Sequence, residues 1–177
     1  MYVAPHHRFV DRAAQLDLID AYPLATWLFR GAQGLAALHR PFTLDRGRGE
    51  LGTLRAGIDA DDTEARAAAD GTPALLVFLG PQAYISPGWY PGKVEHGRVV
   101  PTWNYVTVHA HGTVRWTADR AAVDVPILRL EAKLKASQDE ARCDREGTVR
   151  GLCARADPTS AAMAGWVQNA LDRDPAD

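Results

Sequence analysis

From Val106 onward the chain alternates. Val106, Val108, Ala110, Val114 and Trp116 fall on even positions, and Thr107, His109, His111, Thr113 and Arg115 on odd ones. Successive side chains of an extended strand point to opposite faces, so this pattern predicts a strand with one covered face and one polar face. Such a strand needs neighbours to pair with and a layer to cover it, which excludes an all-helical fold.

Other segments supply the neighbours. "VPILRLEAKLKAS" continues in the same style, with Arg129, Glu131 and Lys133 on one face. "ATWLF" reads as a strand, "GAQG" as a turn and "LAALHRPFTL" as the returning strand. "DRGRGE" turns the chain into "LGTLRA". "PALLVFLG" is a continuous apolar run bounded by Pro73 and Gly80, which predicts a strand buried on both faces. Helices sit at the ends. Asp11 is placed to cap a helix from Arg12 to Ala21 that Pro23 stops, and "DADDTEARAAADG" predicts a short helix ending before Gly71. "REGTVRGLCAR" is helical. Asp157 as N-cap and Pro158 at the first helical position open a last helix whose stripe is Met163, Trp166, Val167, Ala170 and Leu171. Six or so strands with turn signals, followed by helices, predict a mainly β (α+β) fold: a small antiparallel barrel with helices packed outside. No linker or repeat divides the chain, so residues 1–177 read as one domain with C-terminal helices over about residues 139–172.

Composition narrows the function classes. The chain has 177 residues, 46% of them hydrophobic, enough for a sizeable core. No apolar run reaches the length of a membrane span, and "MYVAPHHRFVDRAAQ" lacks the pattern of a secretory signal, so a cytoplasmic location is expected. Cys143 and Cys153 read as a reduced pair rather than a disulfide. The formal net charge is −2 and there is no basic stripe of the kind that neutralises phosphates, which counts against this chain gripping DNA by itself.

Four places could carry chemistry. In "ISPGWYPGK", prolines and glycines fix a tight loop that can present Ser86, backbone N–H groups and Lys93 to a phosphate, with Trp89 and Tyr90 flanking a flat ring; the same residues also suit an ordinary hairpin loop capping a barrel end. In "VPTWNYV", Thr102 and Asn104 share the face that turns apolar further along. Polar groups there are costly unless they bond a ligand or a neighbouring backbone. His109 and His111 lie on one strand face, an acceptable start for a metal site, with His39, Glu131 or His96 as third ligand. Nothing in the spacing demands that third ligand, so they read as a polar strand face and no metal is expected. His6 and His7 read as surface residues unless the N-terminus folds back onto the barrel. Lys133, Lys135, Ser137 and Gln138 end a strand with donors able to meet an anion, or simply face solvent. Sequence patterns for nucleophilic hydrolases, phosphate-binding loops and dinucleotide folds are absent.

"MYVAPHHRF", "GPQAYISPGWYPGK", "VPTWNYVTVHAHG" and "LEAKLKASQDEARCDREGTVRGL" together resemble the PaiB-type family, also called FMN-binding negative transcriptional regulators. The resemblance implies an FMN-binding split β-barrel, a homodimer with flavin in the groove between subunits. It implies that Ser86, Lys93 and the loop amides meet the FMN phosphate and ribityl chain. Trp89, Tyr90 and Trp103 would border the isoalloxazine or the dimer groove, Thr102 and Asn104 its polar edges, and Lys135, Ser137 and Gln138 would close the pocket. The chain departs from the family where "VRWTADRAAV" runs almost directly into "VPILRLEAKLKASQ" without a helical excursion. "LGTLRAG" stands where the family tends to carry a Gly-His stretch, and Ala136 where leucine is more frequent. The expected role is regulation linked to redox state or a ligand. The alternatives are an FMN-dependent oxidoreductase using NAD(P)H on a small substrate, with His109 and His111 the nearest acid–base candidates, and a flavin-free barrel acting as an interaction protein.

Overall fold

The computed structural model describes residues 1–97 and 99–173, the side chains of Glu95 and His96 excepted. They form two compact units: Val10–Leu79 with Thr107–Ala132, and Met1–Phe9 with Gly80–Val106 and residues 133–173.

The larger unit opens with helix α1 (Arg12–Ala21), where the Asp11 carboxylate accepts from the Ala14 N–H as the sequence predicts. Strands β1 (Leu24–Gly31) and β2 (Gly34–Pro41) form the expected hairpin, with Gly31 opposite Gly34. β3 (Thr43–Asp45) and β4 (Thr53–Gly57) follow, then helix α2, confined to Thr63–Arg66. β5 (Pro73–Ile85), β6 (Thr102–Thr113) and β8 (Ala122–Lys135) contribute residues to both units, and the short β7 (Arg115–Trp116) pairs with β8. The sheet order is β2-β1-β5-β6-β8-β4-β3.

Two expectations are corrected here. "LAALHRPFTL" is not one strand. It breaks at Phe42, whose N–H donates to the Pro23 carbonyl at 2.9 Å and whose ring is buried edge-on to Trp27. Before the break the chain pairs with β1, and after it with β4. β2 and β3 therefore lie at opposite ends of the strand order although one residue separates them, which curls the sheet into a half-barrel. β5 is also not buried on both faces. Ala74, Leu76 and Phe78 are buried, Leu75 and Val77 only half so, and Leu79 is 46% exposed. An all-apolar run hides its own alternation, because every side chain belongs to the same class.

The alternation on β6 holds: Val106, Val108, Ala110 and Val114 are buried. Gly112 belongs to the same buried face, and a Cβ there would stand 2.4 Å from the Pro126 carbonyl oxygen on β8. Only glycine permits that approach. Asp124 on β8 is buried and gathers Arg55 Nε at 2.6 Å and Arg48 Nη1 at 2.5 Å. The Arg55 hydrogen bond, followed by that of Arg48, holds its carboxyl below the ordinary 3.8.

The smaller unit holds the N-terminal segment, a 3-10 turn (Pro87–Trp89) and helices α3 (Lys93–His96), α4 (Arg142–Ala154) and α5 (Pro158–Arg173). Asp157 caps α5 by accepting from the Ser160 N–H at 2.8 Å. Met163, Val167 and Leu171 of the predicted stripe are buried, and Trp166 meets Phe9 edge-on at 5.5 Å. Cys143 and Cys153 are free thiols. No helix among the described residues is long and apolar enough to cross a membrane.

Candidate functional site

Within the smaller unit, β6 and the end of β8 bring four of the predicted residues together. Thr102 and Asn104 alternate onto one face of β6, while Lys135 and Ser137 lie across from them. Lys135 Nζ donates to Thr102 Oγ1 at 2.5 Å, and Asn104 Nδ2 donates to Ser137 Oγ at 2.8 Å. Ser137 adopts a left-handed backbone, φ 59°, at the end of the strand. With Val100, Asp139 and Glu140 these residues line a groove of about 120 Å³. Asn104 is wholly buried, and its Oδ1 accepts no hydrogen bond. An orphaned acceptor of this kind is costly unless something completes it. Tyr90 is buried near Ser137 and Thr148. Burial, then the Glu140 charge, pushes its phenol above the ordinary value.

The other predicted residues are placed differently. Gln138 is engaged with its own turn: its Oε1 accepts from Ala136 N at 2.7 Å and its Nε2 donates to the Leu134 carbonyl at 2.8 Å. Ser86 caps the 3-10 turn, accepting from Gly88 N at 3.2 Å. Trp89 packs onto α4, where a Cβ on Gly151 would fall 2.2 Å from its ring. Asp144 of α4, accepting from the Gly92 N–H at 2.8 Å, pins the same loop. Lys93 is exposed at the start of α3. Trp103 points to the opposite face from Thr102 and Asn104. It is 53% exposed and meets Tyr84 edge-on at 6.4 Å.

His109 and His111 are half-buried in the larger unit, where burial lowers the His109 pKa and His111 Nε2 lies 3.2 Å from Glu131 Oε2. Among the described residues they gather no third metal ligand; the His96 side chain lies outside those residues. His7 departs from the surface expectation. The N-terminal segment folds back, Arg8 bridges Lys133 antiparallel, and His7 becomes 6% exposed. Burial, then the adjacent His6, lowers its pKa to about 4 against the opposing pull of Asp139. Spacing could not have revealed this, because the contacts join residues more than a hundred positions apart.

Residues 1–156 match the family described as "Putative FMN-binding domain". Protease synthase and sporulation protein PAI 2 of Bacillus subtilis is 50% identical over 38 residues, 22% of this chain and 16% of that protein. Uncharacterized protein YKL070W of Saccharomyces cerevisiae is 44% identical over 45 residues, 25% of this chain and 27% of that protein. The chain thus spans about a quarter or less of these two relatives. The FAD and heme binding protein from Mycobacterium smegmatis superposes with a TM-score of 0.56 at 19% identity, covering 78% of each chain, a likeness of fold.

The groove can be tested against an FMN ligand. It offers an ammonium group at Lys135, hydroxyls at Thr102 and Ser137, and the open acceptor of Asn104 for a ring N–H. That donor set fits a flavin. Its volume does not suffice for a whole one, since ligand sites usually span roughly 300–1,000 Å³. A larger cavity, about 550 Å³, lies in the other unit beside the β1–β2 hairpin, lined by Phe29, Leu35, Ala36 and Ala67 and offering no cation. Of the two, the smaller groove is the one lined by a cation, Lys135. Matched over residues 1–156 and carrying the split-barrel sheet, the chain belongs to the FMN-binding domain family.

Proposed function

We propose that the protein holds FMN against Thr102, Asn104, Lys135 and Ser137 and works as a homodimer, with a regulatory role of the PaiB type. The observation that carries this reading is the buried Asn104, with an open acceptor, beside Lys135 in a groove too small to enclose a flavin. A second subunit would supply the missing wall. Exposed apolar side chains of the same unit support a partner surface: Val100 is 74% and Trp103 53% exposed. Lys93 and Ser86 stand on the phosphate side of this proposal, Trp103 on the ring side, and Tyr90, Trp89 and Gln138 hold the wall in shape. FMN, when bound, supplies hydride and one-electron chemistry; the chain's residues bind and orient it. Residues 1–177 act as one split-barrel domain in the cytoplasm. Regulation runs through flavin state or a partner, since nothing in the charge pattern suits direct DNA reading.

The test is a visible absorption spectrum before and after FMN addition and desalting. Flavin bands that survive desalting, and that Lys135→Ala weakens, sustain the proposal. A flat spectrum after reconstitution defeats it and leaves the flavin-free interaction protein. NAD(P)H consumption above that of free flavin would instead favour the oxidoreductase reading.

A further inference from the structure

Outside the groove's donor set, the smaller unit gathers a second constellation. His6 Nε2 lies 3.8 Å from Asp139 Oδ2, and His7 Nε2 lies 3.7 Å from Asp139 Oδ1. The three ligand atoms all fall within 4.8 Å of one another. His7 is buried at 6% exposure, and its Nε2 makes no hydrogen bond although it is aimed into the cluster. A buried imidazole nitrogen with no partner and a carboxylate opposite it is a half-built coordination sphere. Bonds of about 2.0–2.2 Å to a common ion would draw three donors closer together than they now stand. The adjustment falls on His6 and Asp139, whose side chains are 43% and 44% exposed, rather than on the buried His7.

We infer that His6, His7 and Asp139 form a binding site for a divalent first-row transition ion. Two imidazoles with one carboxylate select zinc or iron over magnesium or calcium, which prefer oxygen alone. Three protein ligands leave coordination positions open, the pattern of a reactive rather than a closed structural site. Asp139 also lines the groove with Lys135 and Ser137, so the ion would stand at the groove's rim. Lys133 and Lys135 oppose a nearby cation. Lys135 is held by Thr102, and Lys133 lies over the Tyr105 ring at 5.4 Å. This replaces the expectation of no metal, and it goes beyond the flavin reading.

The test uses the metal-stripped full chain with no flavin added, so the two readings fail separately. Cobalt(II) is titrated by visible spectroscopy and zinc by calorimetry, with circular dichroism confirming that each variant is folded. One ion per chain is expected. His6→Gln and the exposed Asp139→Asn should each weaken it at least about tenfold, and His111→Gln should leave it unchanged. The absence of a saturable site, parental binding in both His6→Gln and Asp139→Asn, or loss of binding in His111→Gln would each overturn the assignment.

Discussion

The two units bury polarity in different ways. In the larger one, Asp124 is met by two guanidinium groups, Thr107 donates to the Phe78 carbonyl at 2.8 Å, and Thr53 to that of Arg48 at 2.8 Å. In the smaller one, buried polar residues are denser: His7, Asn104, Ser137, Asp144, Arg145, Thr148 and Ser160, against Gln15, Thr53, Thr107 and Asp124. Asn104 Oδ1 and His7 Nε2 keep open valences there, as Trp27 Nε1 does in the larger unit. Polar groups that satisfy one another stabilise a sheet. Polar groups left incomplete lower stability and are retained where a ligand completes them.

That contrast can be broken by substitution. The largest loss is expected from Gly112→Ala, which sets a methyl group against a backbone carbonyl and should cost about 3 kcal/mol in chemical denaturation. Asp124→Asn comes next. Removing one side of a buried pair costs roughly 3–5 kcal/mol when it is fully enclosed. Here both arginines are half exposed, so about 2 kcal/mol is expected. The pH dependence has a fixed sign. The folded carboxyl titrates below its ordinary 3.8, so its contribution is complete above that value and is lost as pH falls through the folded pKa. The gap between parent and Asp124→Asn should therefore stay level at neutral pH and narrow in acid. A gap that widens in acid would contradict the geometry.

Asn104→Leu sharpens the comparison from the other side. It removes an amide with one open acceptor but also leaves the buried Ser137 Oγ without its donor, so a loss of about 1 kcal/mol is expected. FMN binding should fall at least about tenfold, measured by fluorescence quenching. A large loss of stability would mean that Asn104 is structural in the way Asp124 is. The smallest effect on stability belongs to Lys135→Met, with an unchanged melting temperature and flavin affinity reduced about tenfold.

Local rules were readable without coordinates. Asp11 and Asp157 cap helices because capping depends on residues three positions away. The β6 alternation is equally local. Thr102, Asn104, Lys135 and Ser137 could be proposed together only through family resemblance, yet they do converge. What stayed hidden depends on distant contacts. Gln138 looks like a free donor until its amide is seen closing its own turn. The packing of Trp89 against the glycines of α4 is equally beyond the reach of spacing. His7 looks exposed until the Arg8 bridge covers it.

The Phe42 corner has a mechanical consequence. The first and last strands of the sheet order are one stretch of chain, stitched at a single buried ring. Fraying at either edge therefore pulls on the same knot. Amide exchange at Leu38 and at Leu44 should follow one shared opening event, where an open sheet would let its two margins breathe independently.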